Sequence, residues 1–255
     1  MANEQESQIV NYLHQYGELS IKELGDLLGV SPSSVRRYLN ALSKHRLIER
    51  THGGARIATI IQYESLDIYR LPVDPKEARA IAARAAQLVQ RGDVIGLSGG
   101  QICTQFALHL RLIEGITVVT NALNIATELA ALPNLQVVLA GGRLNPRSFE
   151  LVGQAVGLSL NGLHLHKFFL GTAGLSVEHG VTAYFEAEAD AARALMEHSD
   201  STILLANSER FKQANFAQVC PVSSIQTIVT TDQVSSDVIT QFERSGVKMI
   251  VANCC

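Results

Sequence analysis

The sequence predicts an α/β chain in two parts: a small helical unit with a two-stranded wing over residues 1–59, and a largely parallel α/β domain over residues 76–255. Three observations predict it. Before residue 45, apolar residues recur at helical spacing. Beyond residue 76, short apolar runs such as Val94-Ile95-Gly96-Leu97 alternate with helical stretches, the pattern of parallel strands covered on both faces. Between them, residues 60–75 lack periodicity and contain Pro72 and Pro75, so they read as a connection.

In the front unit, Ile9, Val10, Leu13 and Tyr16 mark a first helix closed by Gly17. Ser20 and Glu23 form a capping box for a second, whose buried face is Ile21, Leu24, Leu27 and Leu28. Gly29 supplies a tight turn into a third helix, with Ser31 at the N-cap and Pro32 at the first helical position. Val35, Leu39 and Leu42 give that helix one apolar stripe, and Ser33, Ser34, Arg36, Arg37 and Asn40 fall off it. Residues 47–57 read as two short strands around Gly53-Gly54, with His52 and Arg56 near the tip. The pattern is a helix-turn-helix with a wing.

Arginine forks onto guanine edges or phosphates, and Ser and Asn bond bases or backbone. A solvated surface helix would show the same face, but the charge pattern favours a nucleic-acid partner. Residues 31–59 carry six basic residues against Glu49, a net of +5 on a chain of −3, which leaves −8 elsewhere. Ser31, Ser33, Ser34, Arg36, Arg37, Asn40, His52 and Arg56 are therefore the candidate contacts to double-stranded DNA.

In the rear domain, helices are expected at 76–90, 102–112, 123–132, 186–198 and 236–243. Strands are expected at 94–97, 116–119, 135–139, 168–170, 203–205, 228–229 and 249–251. Small residues fill the loops after several strands: Ser98-Gly99-Gly100-Gln101, Thr120-Asn121-Ala122, Gly141-Gly142-Arg143, Gly171-Thr172-Ala173-Gly174 and Ala206–Arg210. Each alone reads as a tight strand-to-helix turn. Together they predict a pocket at the carboxyl edge of the sheet, where open α/β sheets bind ligands. Its candidate residues are Ser98, Gly99, Gly100, Gln101, Thr120, Asn121, Gly141, Gly142, Arg143, Gly171, Thr172 and Arg210. Backbone N–H groups and a helix N-terminus favour an anion there, with Arg210 as counter-charge.

The run LSIKELGDLLGVSPSSVRRYLNALSKHRLIERTHGGA resembles the winged helix-turn-helix of DeoR-type bacterial transcription regulators, through its S-x-x-[ST]-[IV]-R-R-x-L core and closing H-G-G-A. The family usually has Asp where Tyr38 stands. The rear domain resembles the DeoR-type sensor domain, which is related to ribose-5-phosphate isomerases. The matching pieces are V-V-T-N-A-L at 118–123, L-A-G-G-R-L at 139–144, V-G-Q-A at 152–155, K-F-F-L-G-T-A-G-L at 167–175 and A-N-S-E-R-F at 206–211. The resemblance implies a regulator, more often a repressor, of sugar or carbon metabolism whose DNA affinity follows a phosphorylated sugar. Where the family reads Asp-x-Gly-Thr-Thr, this chain has Ser98-Gly99-Gly100-Gln101-Ile102. Where it reads Asp-x-Ser-Lys-Phe, this chain has Asn207-Ser208-Glu209-Arg210-Phe211.

Other classes fare worse. Residues 1–6 lack a signal-peptide pattern and no apolar run has membrane-span length, so a cytoplasmic location with no membrane partner is expected. Cys103, Cys220, Cys254 and Cys255 form no C-x-x-C pair and read as reduced thiols. Gly96-Leu97-Ser98-Gly99-Gly100 fits a nucleophile elbow, but after Asp190 only His198 follows as a base. His164 and His166 lack a third metal ligand in view. No catalytic residue, metal or cofactor is expected, and a homo-oligomer is. The alternatives kept are an isomerase-type enzyme using Glu186, Glu188 or Asp190 with an appended DNA-binding module, and a regulator controlled by a protein partner.

Overall fold

The computed structural model describes residues 4–44, 48–57 and 73–254. The chain divides into two compact units, residues 1–67 and 68–255. Residues 60–72 of the expected connection lie outside the described residues; Pro75 opens a helix.

The front unit contains α1 (Glu4–Tyr16), β1 (Glu18–Ser20), α2 (Ile21–Leu28), α3 (Pro32–Lys44), β2 (Ile48–Thr51) and β3 (Gly54–Ile57). The capping box forms: Ser20 Oγ accepts the Glu23 N–H at 3.2 Å and Glu23 Oε2 accepts the Ser20 N–H at 2.8 Å. Gly29 ends α2 at φ 65°, a left-handed conformation that suits glycine. Its N–H bonds the Gly25 carbonyl, which turns the chain into α3. Val35, Leu39 and Leu42 are buried with Ile9, Leu13, Leu24, Ile48 and Ala55 in one core. β1, absent from the sequence reading, makes the wing a three-stranded antiparallel sheet in the order β1-β3-β2. A three-residue strand beside a helix cap leaves too short an alternation to see in sequence.

The rear unit opens with α4 (Pro75–Ala86), β4 (Val94–Leu97), α5 (Gln101–Leu110), β5 (Thr117–Thr120), α6 (Leu123–Ala130) and β6 (Gln136–Leu139). There follow β7 (Arg143–Asn145), β8 (Glu150–Val152), α7 (Gln154–Leu160), β9 (Lys167–Gly171), β10 (Gly174–Ser176) and β11 (Gly180–Ala183). It closes with α8 (Glu186–Glu197), β12 (Thr202–Leu205), β13 (Ala217–Cys220), β14 (Thr227–Thr231), α9 (Ser236–Arg244) and β15 (Lys248–Ala252). Seven strands form one parallel sheet in the order β15-β14-β12-β9-β4-β5-β6.

Alternation along the strands covers both faces, because successive side chains point to opposite sides. Phe169, Ile95 and Leu97 pack with α4, α5 and α6 on one side. Phe168, Leu170 and Leu204 pack with α7, α8 and α9 on the other. The expected elements are present, with ends moved by a few residues; α4 stops at Ala86, not Gln90. The pieces not foreseen are β7, β8, α7, β10, β11 and β13. The strands are three or four residues long and pair antiparallel outside the main sheet, so no long apolar run marks them. α7 contains Gly157, which weakens the helical signal.

Candidate functional site

Each unit carries one polar site. In the front unit, Ser33, Arg36, Arg37 and Asn40 are exposed on α3, while Ser34 is half-buried. Ser31 Oγ accepts the Ser34 N–H and bonds the hydroxyls of Ser33 at 2.8 Å and Ser34 at 3.1 Å. The serines therefore fix the start of α3, where backbone N–H groups suit a phosphate. Tyr38 is buried in the core and holds the Arg37 guanidinium 5.2 Å from its ring centre. Arg50, one of the six basic residues of 31–59 but outside the candidate contacts, bonds Asn40 Oδ1 at 2.6 Å and so ties wing strand β2 to α3. Arg56 pairs with Glu49 at 2.7 Å, and His52 is exposed at the wing turn. Arg36 and Arg37 thus lie on an open face beside a braced wing.

In the rear unit, strand order reverses between β4 and β9: β5 and β6 lie beyond β4, and β12, β14 and β15 beyond β9. The loops after β4 and β9 meet at this switch point, the usual ligand position in such sheets. Ser98 Oγ accepts the Gly171 N–H at 2.9 Å. A Cβ on Gly171 would lie 3.0 Å from the Gly99 carbonyl oxygen and 3.2 Å from Cys103 Sγ, so glycine permits this close approach. The first turn of α5 has no side-chain cap. Thr120 Oγ1 donates to the Leu97 carbonyl at 2.6 Å and accepts the Ala122 N–H at 3.0 Å. Arg210 follows β12, is 5% exposed, and reaches Tyr184 Oη at 3.4 Å.

Several groups expected to face a ligand are bonded within the chain. Gly141 N–H bonds Ser159 Oγ, and the Thr172 hydroxyl bonds Gly174. Gln101 Oε1 accepts the Val73 N–H at 2.9 Å, which holds the start of the domain to the α5 loop. Gly142 and Arg143 lead into the β7–β8 hairpin, with Arg143 exposed. The main residue missed is Glu150. Its carboxylate accepts the Gly99 N–H at 2.9 Å. Only its placement between Phe149 and Leu151-Val152 hints, in sequence, at a buried acid. Glu77, also missed, is 4% exposed and accepts the Ser208 N–H, the Ser208 hydroxyl and the Thr231 hydroxyl.

Ser98 is not set up as a nucleophile: its hydroxyl bonds Gly171 and Cys103, while His198 Nδ1 bonds the Ala194 carbonyl. Asp190 pairs with Arg193, and Glu188 accepts from Asn145. His164 pairs with Asp200 and His166 with Asp93. Among the described residues, no group of three His, Cys, Asp or Glu is placed to hold a metal, and no helix is long and apolar enough to cross a membrane.

Sequence profiles agree with this division. That of the DeoR-like helix-turn-helix domain matches residues 6–60, and that of the DeoR C terminal sensor domain matches residues 74–232. Relatives include the uncharacterized HTH-type transcriptional regulator YulB of Bacillus subtilis, 30% identical over 96% of this chain and 95% of its own. The HTH-type transcriptional repressor GlcR of the same organism is 28% identical over 95% and 93%. The glycerol-3-phosphate regulon repressor of Escherichia coli is 26% identical over 87% and 88%. A solved ribose 5 phosphate isomerase A from Neisseria gonorrhoeae overlays 54% of each chain at a TM-score of 0.40 and 15% identity. With both profiles in chain order over a winged unit and a parallel-sheet domain, the protein belongs to the DeoR family of helix-turn-helix transcription regulators.

Proposed function

We propose that the chain is a cytoplasmic, sequence-specific repressor of sugar or carbon metabolism, acting as a homo-oligomer on double-stranded operator DNA and released from it by a small phosphorylated sugar. One observation carries the reading. The same chain joins an open Arg36/Arg37 helix face to a switch-point edge that buries a cation, Arg210. On that reading, Ser31, Ser33, Ser34, Arg36, Arg37, Asn40, His52 and Arg56 form the DNA face. One winged unit makes few base contacts, so specific affinity comes from two units on half-sites about one helical turn, or a multiple, apart.

The effector lies across the loops after β4, β5, β6, β9 and β12, with Arg210 as counter-charge to its phosphate. The names of the relatives fit: one is a glycerol-3-phosphate regulon repressor, which points to phosphorylated polyols as a class. The bond from Val73 to Gln101 gives the effector loop a hold on the residues that precede α4. No catalytic residue or cofactor is assigned.

A thermal-shift screen of the full chain against pentose phosphates, hexose phosphates and glycerol 3-phosphate tests the reading. A bound effector at about 100 times its Kd adds about 2.7 kcal/mol. One observation favours the isomerase-type alternative, the carboxylate of Glu150 at this edge, since such chemistry needs a carboxylate base. Conversion of an aldose phosphate to a ketose phosphate by the full chain would put that reading in place of sensing.

A further inference from the structure

The seat that Gly99 offers to an anion is already filled by the chain's own anion. Glu150 is 9% exposed, and its Oε1 takes the Gly99 N–H at 2.9 Å. A Cβ on Gly99 would lie 2.6 Å from Glu150 Cγ and 2.7 Å from its Cδ, so the carboxylate lies flat on the bare backbone. The segment that delivers it is held at three points. Leu123 N–H bonds the Phe149 carbonyl at 2.9 Å, Leu151 N–H bonds the Asn121 carbonyl at 2.7 Å, and Asn121 Nδ2 bonds the Leu151 carbonyl at 3.1 Å. Phe149 adopts φ 57°, a conformation that costs a non-glycine residue energy and persists only where the surroundings enforce it. Glu150 is therefore braced in place by its neighbours.

Around it, unpartnered atoms that can accept hydrogen bonds collect. Asn121 is 2% exposed and Asn124 8%, and the Oδ1 of each is buried without a hydrogen-bond partner. The Ser148 hydroxyl, two residues before Glu150, is buried and unpartnered too. Asn124 belongs to the same cluster through a chain of bonds: its Nδ2 donates to Thr104 Oγ1, which donates to the Gly100 carbonyl. Buried polar oxygens without partners call for donors. A phosphate brings acceptors and negative charge, and a fixed carboxylate repels it. A sugar hydroxyl brings donors.

We propose that Glu150 makes the β4–β5 end of this edge a hydroxyl-binding subsite that excludes phosphate, so that a phosphorylated sugar lies with its hydroxyls there and its phosphate toward Arg210. The inference rests on the reading that the effector lies at this edge. β4 and β12 are separated by β9 alone, and two strand spacings come to about 10 Å, the length of a small sugar phosphate. Glu150, Asn121 and Asn124 then set the class of ligand, and Arg210 anchors the phosphate end.

The test is calorimetric titration of the full chain with inorganic phosphate. In the wild type, phosphate binds at the Arg210 end only. In Glu150→Ala, which removes both the charge and the side chain that covers the Gly99 amide, phosphate affinity rises about tenfold or a second equivalent binds. In the Glu150→Ala/Arg210→Ala double variant, phosphate binding persists, whereas Arg210→Ala alone loses it. If Glu150→Ala does not unfold cooperatively, Glu150→Ser replaces it, with the same gain in phosphate affinity expected. Equal phosphate affinity and stoichiometry in wild type and variant, or no binding by either, overturns the proposal. The outcome is independent of whether any sugar phosphate alters operator binding, which tests the function itself.

Discussion

The two polar faces of this protein are built in opposite ways. On α3, Ser33, Arg36 and Arg37 stand in solvent over a stripe of buried Val35, Leu39 and Leu42. At the sensor edge, Ser98, Thr120, Asn121 and Arg210 are each at most 5% exposed, and much of their bonding capacity is taken by the chain itself. A surface that meets a large polyanion works as a solvated array held on a rigid helix. A seat for a small ligand must exclude water, so its polar groups are buried, and buried polar groups need partners whether or not the ligand is present. Glu150 on Gly99 and Glu77 on Ser208 and Thr231 are such partners.

The sharpest way to separate the two faces is to break one and leave the other. A Cβ on Gly54 would lie 2.2 Å from the Leu19 carbonyl oxygen, inside the β1–β3 pairing. Gly54→Ala is expected to cost the front unit about 3 kcal/mol or more. Thermal unfolding followed with operator binding should show DNA affinity lost while the rear unit melts where it did. A single transition displaced as a whole would contradict independent units. Next, Glu77→Ala strands the Ser208 N–H and two hydroxyls in the interior and should cost the rear unit about 2–3 kcal/mol. Denaturant unfolding reads it; a change below about 0.5 kcal/mol would show that the carboxylate is dispensable there.

These contrasts also explain what the sequence revealed. The Ser20–Glu23 capping box, the left-handed Gly29 and the α3 stripe are set by residues a few positions apart, so the front unit was legible almost residue by residue. The parallel strands were legible as apolar runs. Glu150 was not, because a hairpin and the bent Phe149 carry it to Gly99, 51 residues away, and no local spacing encodes that. Arg50 was visible as a wing cation, but its bond to Asn40 depends on how β2 lies against α3. Asn207, 0% exposed with both side-chain polar atoms unpartnered, stood out only as a departure from the family's usual acid.

A smaller effect sharpens the DNA side. Arg37→Ala should weaken operator binding by about 1–3 kcal/mol if the guanidinium reads a base, or lower the salt slope by about one if it touches a phosphate. Unchanged affinity and salt dependence, with the fold intact, would remove Arg37 from the interface.

The smallest effect concerns two buried thiols of the rear unit, Cys103 and Cys220. Burial pushes Cys103 up to about 12, against the pull of its hydrogen bond with Ser98, and burial pushes Cys220 up to about 11. Both stay protonated at pH 8, so iodoacetamide should leave them unmodified in the folded chain and label them after denaturation. Peptide mapping reads each site. Rapid labelling of native Cys103 would show that the switch-point edge opens to solvent.

The most direct test of sensing at this edge is operator affinity of the full chain with and without the sugar phosphate that gives the largest thermal shift, for wild type and Arg210→Ala. Effector binding at Arg210 predicts that the sugar phosphate weakens wild-type operator binding at least tenfold, that Arg210→Ala abolishes this response, and that effector-free affinity is the same in both. A response that survives Arg210→Ala would place the effector elsewhere and contradict the account.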